Sequence, residues 1–525
     1  MKKSLFSLII ITLLFCSCKI KHSGQEVMAK APTQEEVGAA MLPATIAAVK
    51  APFKTIKFVK PQFRTDTVRP LLSKEKINTQ IIQKSIDELS SKGGGIVFIP
   101  EGKWLTGRIE LKSNVNLHIS AGATLAFSGE IEDFLPVVFT RVEGIEVMSL
   151  GACIYANKAI NIAVTGFGKL VGPAKGSIRD NIFTVDVIEN VIDYKTPVSD
   201  RIVDGKKQPW IFPPMFISPI NCDKVYIEGV SLENTAFWNI VPVYCNNVII
   251  RGITVNSVGV PRGDGIDIES SKNVLIEYCT LSCGDDCFTM KAGRAEDGLR
   301  VNKPTENVVV RYCLAIEGHG GITCGSETAA MIRNLYTHDC VFVKSGVGIR
   351  FKTRRPRGGG GENLTFERIR LVDVGQAFKW DMLGSKTHVG DLASRFPARP
   401  INPLTPHYRD IFAKDIVIEQ AKDFINVVGI PETPVSNVNI EKVIVNCTNI
   451  ISAQDIENAH FSNMDITSKN PVLEFDGVKN IRFNNVNFKS EKEIELKVKG
   501  ENFGDIVIQN CIGIKDTIWK NNSNK

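Results

Sequence analysis

The sequence predicts an all-β fold, a parallel β-helix whose open N-terminal end is covered by one capping helix. Three observations predict it. A short strand motif recurs along the chain, its copies are spaced as one coil would require, and an amphipathic helical segment precedes most of them. One short strand cannot bury its apolar face alone, so neighbouring copies must stack.

The recurring motif is an Asn or Asp followed by alternating apolar residues. Its ten copies begin at Asn161, Asn247, Asn273, Asn307, Asn334, Asn363, Asp415, Asn437, Asn480 and Asp505. In the middle of the chain the starts differ by 26, 34, 27 and 29 residues. β-Branched runs bounded by Asn, Gly or Asp indicate strand and turn. Leucine-rich repeats would need Leu at fixed offsets and a helix or its equivalent in each repeat. The chain shows neither, so a parallel β-helix fits better.

A helix is predicted over residues 73–91. Ile77, Ile82, Ile86 and Leu89 recur at helical spacing, and three consecutive glycines follow at residues 93–95. Such a helix has one apolar face and ends where glycine begins. It would cover the open apolar end of the stacked coils.

The first residues predict export. Two lysines precede an apolar run over residues 5–15, which is too short to span a bilayer but suits a signal peptide. Ser17 places a small residue before Cys18, as in a bacterial lipoprotein signal. We expect residues 1–17 to be removed and Cys18 to be lipidated, which would anchor the protein at a membrane surface, periplasmic or outer. A plain secretory signal is the alternative.

The remaining chain divides into a tether with an extended lead-in, residues 18–65, and the β-helix domain, residues 66–525. With 43% hydrophobic and 23% charged residues, the chain is neither disordered, collagenous nor a coiled coil. The net charge of +6 is not concentrated in a basic stripe with interleaved aromatics, which argues against nucleic acid as a partner. We expect a monomer that contacts a membrane only through its lipid.

Eleven cysteines follow residue 18, and several close apolar segments. Buried free cysteine behaves as a small hydrophobe, so they are interpreted as stacked core residues. Cys279, Cys283 and Cys287 have no fourth ligand at zinc-finger spacing, and no metal or other cofactor is predicted.

Four polar motifs lie between residues 260 and 355. They are Arg262-Gly-Asp264, Gly-Asp285-Asp286, Gly-His319-Gly and Arg350-Phe-Lys352. The steps from Asp264 to Asp285, His319 and Arg350 are 21, 34 and 31 residues, about one coil each. Stacking would therefore gather three carboxylates, one imidazole and two or three cations on one face of the solenoid.

Glycoside hydrolysis needs this set of side chains. One carboxylic acid protonates the leaving oxygen, and another carboxylate activates water or attacks the sugar. Crowding carboxylates raises the pKa of one of them and keeps a proton available for the acid. Nearby Arg and Lys suit a substrate that itself carries carboxylates.

In these motifs the chain resembles glycoside hydrolase family 28, the polygalacturonase-type pectinases. The family order is Asn-Thr-Asp, Gly-Asp-Asp, Gly-His-Gly and Arg-Ile-Lys, and the similarity extends from about residue 75 to the C-terminus. The resemblance implies a right-handed parallel β-helix that hydrolyses with inversion and needs no metal. It also implies that Asp285 is the general acid, that Asp264 and Asp286 position and activate water, and that His319 supports the acid.

The resemblance further implies that Arg350 and Lys352 hold the sugar carboxylate. The chain departs from the family pattern where Arg262 and a glycine replace Asn-Thr, and where Phe351 replaces Ile. Arg262 could bind a second uronate carboxylate or fold over a backbone carbonyl. Exo-attack and a rhamnogalacturonan substrate therefore stand beside plain endo-polygalacturonase activity.

The predicted function is thus hydrolysis of acidic pectic polysaccharide or oligosaccharide. Two alternatives remain at this stage. A pectate-lyase-like eliminase would use calcium and a base, and the His319 motif favours hydrolysis over it. A non-catalytic surface glycan-binding lipoprotein would use the same scaffold without chemistry.

Overall fold

The structure, a computed structural model, describes residues 20–21, 26–27, 29–179, 188, 192–208, 210–500 and 504–520. The predicted signal peptide, residues 1–17, and Cys18 lie outside this part of the chain. Within it, no helix combines the length and the apolarity that crossing a membrane requires.

The described helices are few and short. The α-helices are α1 (Gln34–Gly38), α2 (Thr79–Ser91), α3 (Ala295–Val301) and α4 (Lys386–Val389), and 3-10 turns span Ile131–Phe134, Val198–Asp200 and Gly390–Ala393. The predicted capping helix is α2. It starts later than predicted because the side chain of Asn78 binds the backbone N–H and carbonyl of Ser73 and holds the preceding residues in a loop. Ile82 and Ile86 are buried against the first coil.

Strands account for the rest of the regular structure. Those before residue 215 are β1 (Ile20–Lys21), β2 (Glu26–Val27), β3 (Thr67–Val68), β4 (Gly95–Ile99), β5 (Gly102–Thr106), β6 (Ile109–Glu110), β7 (Val115–Ile119), β8 (Ala123–Phe127), β9 (Val138–Val142), β10 (Ile145–Ser149), β11 (Ala152–Asn157), β12 (Ile160–Gly166) and β13 (Lys169–Val171). The next group is β14 (Met215–Ile220), β15 (Asp223–Glu228), β16 (Ser231–Glu233), β17 (Asn246–Arg251), β18 (Thr254–Asn256), β19 (Ile266–Glu269), β20 (Lys272–Glu277), β21 (Thr280–Ser282), β22 (Phe288–Lys291), β23 (Thr305–Arg311), β24 (Leu314–Cys324), β25 (Ile332–Val343) and β26 (Ser345–Lys352). The last group is β27 (Gly360–Val372), β28 (Val374–Asp381), β29 (His407–Val428), β30 (Val435–Gln454), β31 (Ile456–Asp476), β32 (Lys479–Lys489), β33 (Glu495–Lys499), β34 (Ile506–Gln509) and β35 (Thr517–Trp519).

These strands form the predicted parallel β-helix. Each strand pairs in parallel with its equivalents on the neighbouring coils, as in the series β12, β15, β17, β20, β23 and β25. Among the named strands, only the pairs β1–β2, β9–β10 and β34–β35 are antiparallel. The inward residues of all coils join one long hydrophobic core.

The Asn that opens each repeat has a structural cause. Asn273, Asn307 and Asn334 adopt φ values of 55°, 58° and 56°, in the left-handed region that Asn tolerates better than most residues. The amide of Asn307 donates to Asn273 at 3.3 Å, and that of Asn334 donates to Asn307 at 2.9 Å. The motif found in the sequence is therefore a ladder of turn residues that links successive coils.

The cysteine interpretation is confirmed. All eleven cysteines after residue 18 are free, and ten of them are buried, with Cys511 half-buried. The Cys279 thiol lies 3.4 Å from the carbonyl of Glu277, which gives a weak donor a partner inside the core.

The segment before β3 runs along the outside of the coils. Phe58 is buried against a cluster on the outer face of the stacked strands. Arg251 donates to the carbonyl of Pro43 at 2.8 Å, and Arg311 donates to that of Ala47 at 2.8 Å. Charged side chains of the coils thus hold an extended segment in place.

A side layer that the sequence did not predict covers part of one face. It contains the β9–β10 hairpin and the described parts of the long connection between β13 and β14. Arg141 of β9 pairs with Glu269 of β19 at 3.0 Å, and Arg201 pairs with Asp297 at 2.9 Å; all four side chains are buried. These ion pairs fix the hairpin beside the coils that carry the candidate site.

Candidate active site

Two short strands place the predicted aspartates on neighbouring coils. Asp264 lies just before β19, Asp285 and Asp286 lie just before β22, and these strands pair in parallel. The N–H of Gly265 donates to the carbonyl of Asp286 at 2.9 Å, which locks the two turns together. One carboxylate oxygen from each aspartate lies within 4.8 Å of the others. The three carboxylates therefore form one cluster.

Two glycines of the motifs are required by close packing. A Cβ at Gly284 would lie 2.1 Å from the carbonyl oxygen of Val260, and one at Gly320 would lie 2.5 Å from a carboxylate oxygen of Asp286. Both distances are far below van der Waals contact. The Gly-Asp-Asp pattern thus reflects a turn, and Gly320 of the Gly-His-Gly pattern a position inside β24, where no side chain fits beside the neighbouring atoms.

The three aspartates differ in exposure. The side chain of Asp285 is 25% exposed, whereas that of Asp264 is 4% exposed and that of Asp286 is 0% exposed. A bound molecule can therefore reach Asp285 most easily, while the other two form the floor behind it.

His319 stands at the mouth of the cluster. Its Nδ1 lies 3.2 Å from Oδ1 of Asp285, and its backbone N–H donates to the carbonyl of Asp285 at 3.0 Å. The imidazole is 65% exposed. The structure thus brings His319 to the carboxylate that the family resemblance assigns it to support.

Arg350 and Lys352 bind the deepest aspartate. Nη1 of Arg350 lies 3.0 Å from Oδ1 of Asp286, and Nζ of Lys352 lies 2.6 Å from Oδ2. Both cations come from β26 and are partly exposed. They occupy both oxygens of Asp286 and still present positive charge to the cleft.

Phe351 points away from the cleft because side chains alternate along a strand. Its ring stacks on Trp380 with centroids 5.2 Å apart and on Tyr408 at 5.0 Å. The Phe that replaces the family's Ile is therefore a core residue. Trp380 is buried and cannot offer a stacking surface to a sugar.

Among the described residues, Arg262 forms no hydrogen bond with a carbonyl and no ion pair with the aspartates. Its Nε lies 3.4 Å from Oε1 of Glu143, which stands at the tip of the β9–β10 hairpin. Glu143 also pairs with the buried Arg294 at 3.2 Å. The replacement of Asn by Arg262 therefore links the coil of Asp264 to the side layer.

Sequence reasoning missed a buried charged group beneath the cluster. Nζ of Lys291 lies 3.9 Å from Asp264, 3.5 Å from Asp267 and 3.3 Å from Glu327, and it sits 4.4 Å above the ring of Trp238. The pairing of β19 with β22 would have revealed this group, because it places Lys291, at the end of β22, beside the acidic residues of β19. A lysine at the end of a short strand does not stand out until that pairing is known.

Burial and nearby carboxylates raise the pKa of two carboxyl groups in the site. Burial, with Asp267 and Asp285 nearby, raises the pKa of Asp264 well above its usual range, although Lys291 opposes the shift. Burial likewise raises the pKa of Asp267 to about 7 against the opposing charge of Lys291. The sequence predicted that crowding would raise one carboxyl pKa. In the structure the carboxyls with a raised pKa are those of Asp264 and Asp267 rather than that of Asp285.

Two carboxyls of the site shift in the opposite direction. Burial acts to raise the pKa of Asp286, but Lys352 and Arg350 hold it well below the usual range. Burial also acts on Asp285, yet its hydrogen bond with His319 leaves the pKa of this carboxyl lowered. The same hydrogen bond raises the pKa of His319. The site thus pairs an imidazole of raised pKa with a carboxyl of lowered pKa, in front of a buried carboxyl whose pKa is raised.

Three clustered carboxylates are also a possible cation-binding geometry. Here both oxygens of Asp286 already bind cationic side chains, and Lys291 lies beside Asp264. A divalent cation would have to compete with these charges. The arrangement suits proton transfer next to an anionic ligand better than metal binding.

The part of the chain that carries all seven predicted site residues matches a known family. Residues 200–381 match Glycosyl hydrolases family 28. A probable polygalacturonase of Vitis vinifera is 28% identical over 381 residues, which cover 71% of each chain. An exo-poly-alpha-D-galacturonosidase of Dickeya chrysanthemi is 23% identical over 440 residues, which cover 79% of this chain and 68% of that relative.

Solved structures agree with the fold. The hyperthermoactive exopolygalacturonase from Thermotoga maritima superposes with a TM-score of 0.67 at 28% identity, over 89% of this chain and 96% of that one. The family 28 exopolygalacturonase from Yersinia enterocolitica gives a TM-score of 0.60 at 21% identity, over 85% of this chain and 78% of that one. At that lower identity the second likeness shows the parallel β-helix alone.

Proposed function

Because this chain is a polygalacturonase-like glycoside hydrolase of family 28, we propose that it hydrolyses glycosidic bonds next to galacturonate in pectic chains. The observation that carries the proposal is the position of Arg350 and Lys352. Both present positive charge to the cleft within 3.0 Å of the carboxylate that lies beside Asp285. A sugar carboxylate bound there would hold its glycosidic bond over the aspartates.

Asp285 is proposed as the general acid. It is the most exposed of the three carboxylates, so it can reach the glycosidic oxygen. A bound sugar would exclude water from Asp285 and raise its pKa. The carboxyl would then take a proton from Asp264, whose pKa is raised by burial. Asp285 gives this proton to the leaving oxygen as the bond to the anomeric carbon breaks.

Asp264 and Asp286 are proposed to handle the attacking water. After losing its proton to Asp285, Asp264 is a carboxylate that can accept one from water as the water oxygen bonds the anomeric carbon. Asp286 keeps its negative charge through the field of Arg350 and Lys352, and it orients the water. The proton given by Asp285 ends on the leaving hydroxyl, the OH of the water ends on the anomeric carbon, and the other proton of the water restores the one that Asp264 lost.

The proposed stereochemical outcome is inversion. A separation of about 5–5.5 Å between the two carboxyl groups is typical of retaining enzymes. One carboxylate oxygen from each of the three aspartates lies within 4.8 Å of the others. Neither partner of Asp285 is a good nucleophile, however. Both oxygens of Asp286 bind cations, and the carboxyl of Asp264 is buried beside Lys291. Proton NMR of the first product formed from a galacturonate oligomer would show the inverted anomer, and the retained anomer would contradict this scheme.

The side layer supports attack from a chain end. The tip of the β9–β10 hairpin contacts Arg262, two residues before Asp264, so it stands at one end of the cleft. Arg262 then serves as a terminal-subsite residue that exchanges Glu143 for a substrate carboxylate. Mass spectrometry of products from homogalacturonan would show galacturonate released one unit at a time. Rhamnose-containing fragments from rhamnogalacturonan would move the assignment to that backbone.

The same products distinguish the two alternatives. An eliminase acting through the Asp264, Asp285 and Asp286 cluster with calcium would give products lighter by one water and would lose activity with a chelator. A non-catalytic glycan-binding protein would give no product from any pectin, and its binding would survive Asp285→Asn.

Export and lipidation are proposed from the sequence. Cleavage after Ser17 and lipidation of Cys18 would tether the domain to a membrane, where it would act on pectic fragments as a monomer. Labelling of cells with a palmitate analogue should mark the wild-type chain and not Cys18→Ala. Equal labelling of both chains would contradict lipidation at this residue.

A further inference from the structure

A polar groove lies on the C-terminal coils, on the same sheet as the candidate active site. It encloses about 370 Å³ and is lined by side chains of β29, β30, β31 and β33. Its polar lining includes Asp423, Asn426, Asn449, Ser452, Asn470 and Glu474.

The strand register connects this groove to the site. Arg350 pairs with Lys379, Lys379 pairs with Asn426, and Asn426 pairs with Ser452 on successive coils. Because neighbouring strands lie about 4.8 Å apart, Ser452 is roughly 14 Å from Arg350 along the sheet. Nζ of Lys379 donates to Oδ1 of Asn426 at 2.8 Å and bridges the two regions. A chain bound at the aspartates can therefore continue into the groove.

A row of amides is held rigid along one side. The amides of Gln376 and Asn449 donate to the two oxygens of Asp423 at 2.8 Å and 2.6 Å. The amide of Asn470 donates to Asn449 at 2.9 Å. An amide group has two donor hydrogens and an oxygen acceptor, so these bonds orient each amide without using all of its capacity. Such preorganised donors and acceptors suit hydroxyl groups.

The charge of the groove differs from that of the catalytic cluster. Its lining includes two carboxylates, Asp423 and Glu474, against one ammonium, that of Lys497. Lys497 pairs with Glu495 at 3.1 Å, and Glu474 pairs with Lys499. No lining residue is an arginine. The lining ammonium of Lys497 is already paired with Glu495, so a uronate carboxylate would find no unpaired cation among the described lining residues. A neutral sugar would instead meet polar partners and the aliphatic side chains between them.

We propose that this groove binds uncharged, hydroxyl-rich sugars of the substrate, so that the pectic chain cleaved at Asp285 carries neutral sugars beside its galacturonate. The inference deepens the proposed function and rests on it for the identity of the cleaved bond. The binding step itself does not depend on catalysis.

Titration calorimetry on the full chain tests the groove directly. The probes are a neutral galactose tetrasaccharide, a neutral arabinose tetrasaccharide and tetragalacturonate. Ser452 is exposed and lines the groove, so Ser452→Phe places an aromatic ring in it. Thr467→Phe is the matched control, because Thr467 is an exposed hydroxyl residue of β31 outside the groove. We expect at least one neutral probe to bind, with a Kd at least fivefold higher in Ser452→Phe and unchanged in Thr467→Phe. Tetragalacturonate should bind both variants alike.

Two results would overturn the proposal. One is the absence of binding by both neutral probes to the wild-type chain, and the other is equal binding of them by the two variants. Asn449→Ala, which removes one amide without adding bulk, gives a second reading if Ser452→Phe fails to fold. Neutral binding without hydrolysis of any galacturonate polymer would contradict the proposed function and leave the groove assignment standing.

Discussion

The coils that carry the aspartates and the coils that follow them have the same architecture and differ in regularity. In the first region, β19 and β22 are four residues long and are separated by tight turns. In the second, β29, β30 and β31 run for 22, 20 and 21 residues with few interruptions. Carboxylates, imidazole and cations converge in the irregular region, whereas mostly amides and hydroxyls line the groove on the regular one.

The difference shows how a solenoid gains a reactive site. A regular stack of strands places similar side chains at equal spacing, which suits the binding of an extended chain. A reactive site needs unlike groups directed at one point, which requires close packing at positions such as Gly284 and Gly320, where no side chain fits. The following predictions test whether the two regions differ in role as they differ in shape.

The largest expected effect is that of Asp285→Asn. Removing a general acid should lower kcat on tetragalacturonate by about 10²–10⁴-fold, while Asp410→Asn, the same change at a turn of the C-terminal coils, should leave kcat unchanged. Initial rates of reducing-end formation measure both. Equal rates in the wild type and Asp285→Asn would remove Asp285 from the mechanism.

Next in size is the loss of a cation. Lys352→Met should lower kcat/KM on tetragalacturonate by about 10–100-fold, because a charge-assisted contact is worth about 1.5–3 kcal/mol. Lys414→Met removes an exposed lysine of β29 that pairs with Glu441 and is the matched control. Similar losses in both variants would show that general charge, rather than a carboxylate site, attracts the substrate.

The buried charges predict a pH effect on stability. The pKa of Asp267 is raised by burial to about 7 in the folded chain and is about 3.9 when unfolded. The folded state therefore binds the extra proton, and its contribution to stability is lost as the pH rises through about 7. Between pH 5 and pH 8 the free energy of unfolding should fall less in Asp267→Asn than in the wild type. The difference between the two decreases should be at most about 3 kcal/mol. Urea unfolding at both pH values measures this, and parallel pH curves would contradict it.

The smallest expected effect concerns the turn ladder. Asn334→Ala places a Cβ without a polar group at a φ of 56° and removes hydrogen bonds to neighbouring coils. It should cost about 1–2 kcal/mol. Asn334→Gly loses the same hydrogen bonds and relieves the backbone, so it should cost less. If alanine were the milder change, the left-handed turn would not explain the repeat.

The sequence predicted the repeat, the capping helix and the stacking of the four motifs because each has a local signature. Asn at a left-handed turn and alternating apolar residues are visible in one dimension. Lys291 and Glu143 were missed because their roles depend on which coil and which hairpin lie beside them. The location of the raised pKa at Asp264 was also hidden, since it depends on burial and on four neighbouring charges at once.

Hydrolysis in ¹⁸O-labelled water tests the central claim most directly. The wild-type chain acting on tetragalacturonate should give saturated products in which the new reducing end carries one ¹⁸O, and Asp285→Asn should give almost none in the same time. Mass spectrometry reads both. Products without the label and lighter by one water would show elimination, and unlabelled, uncleaved substrate with wild-type protein would show that the cluster does not hydrolyse galacturonate chains.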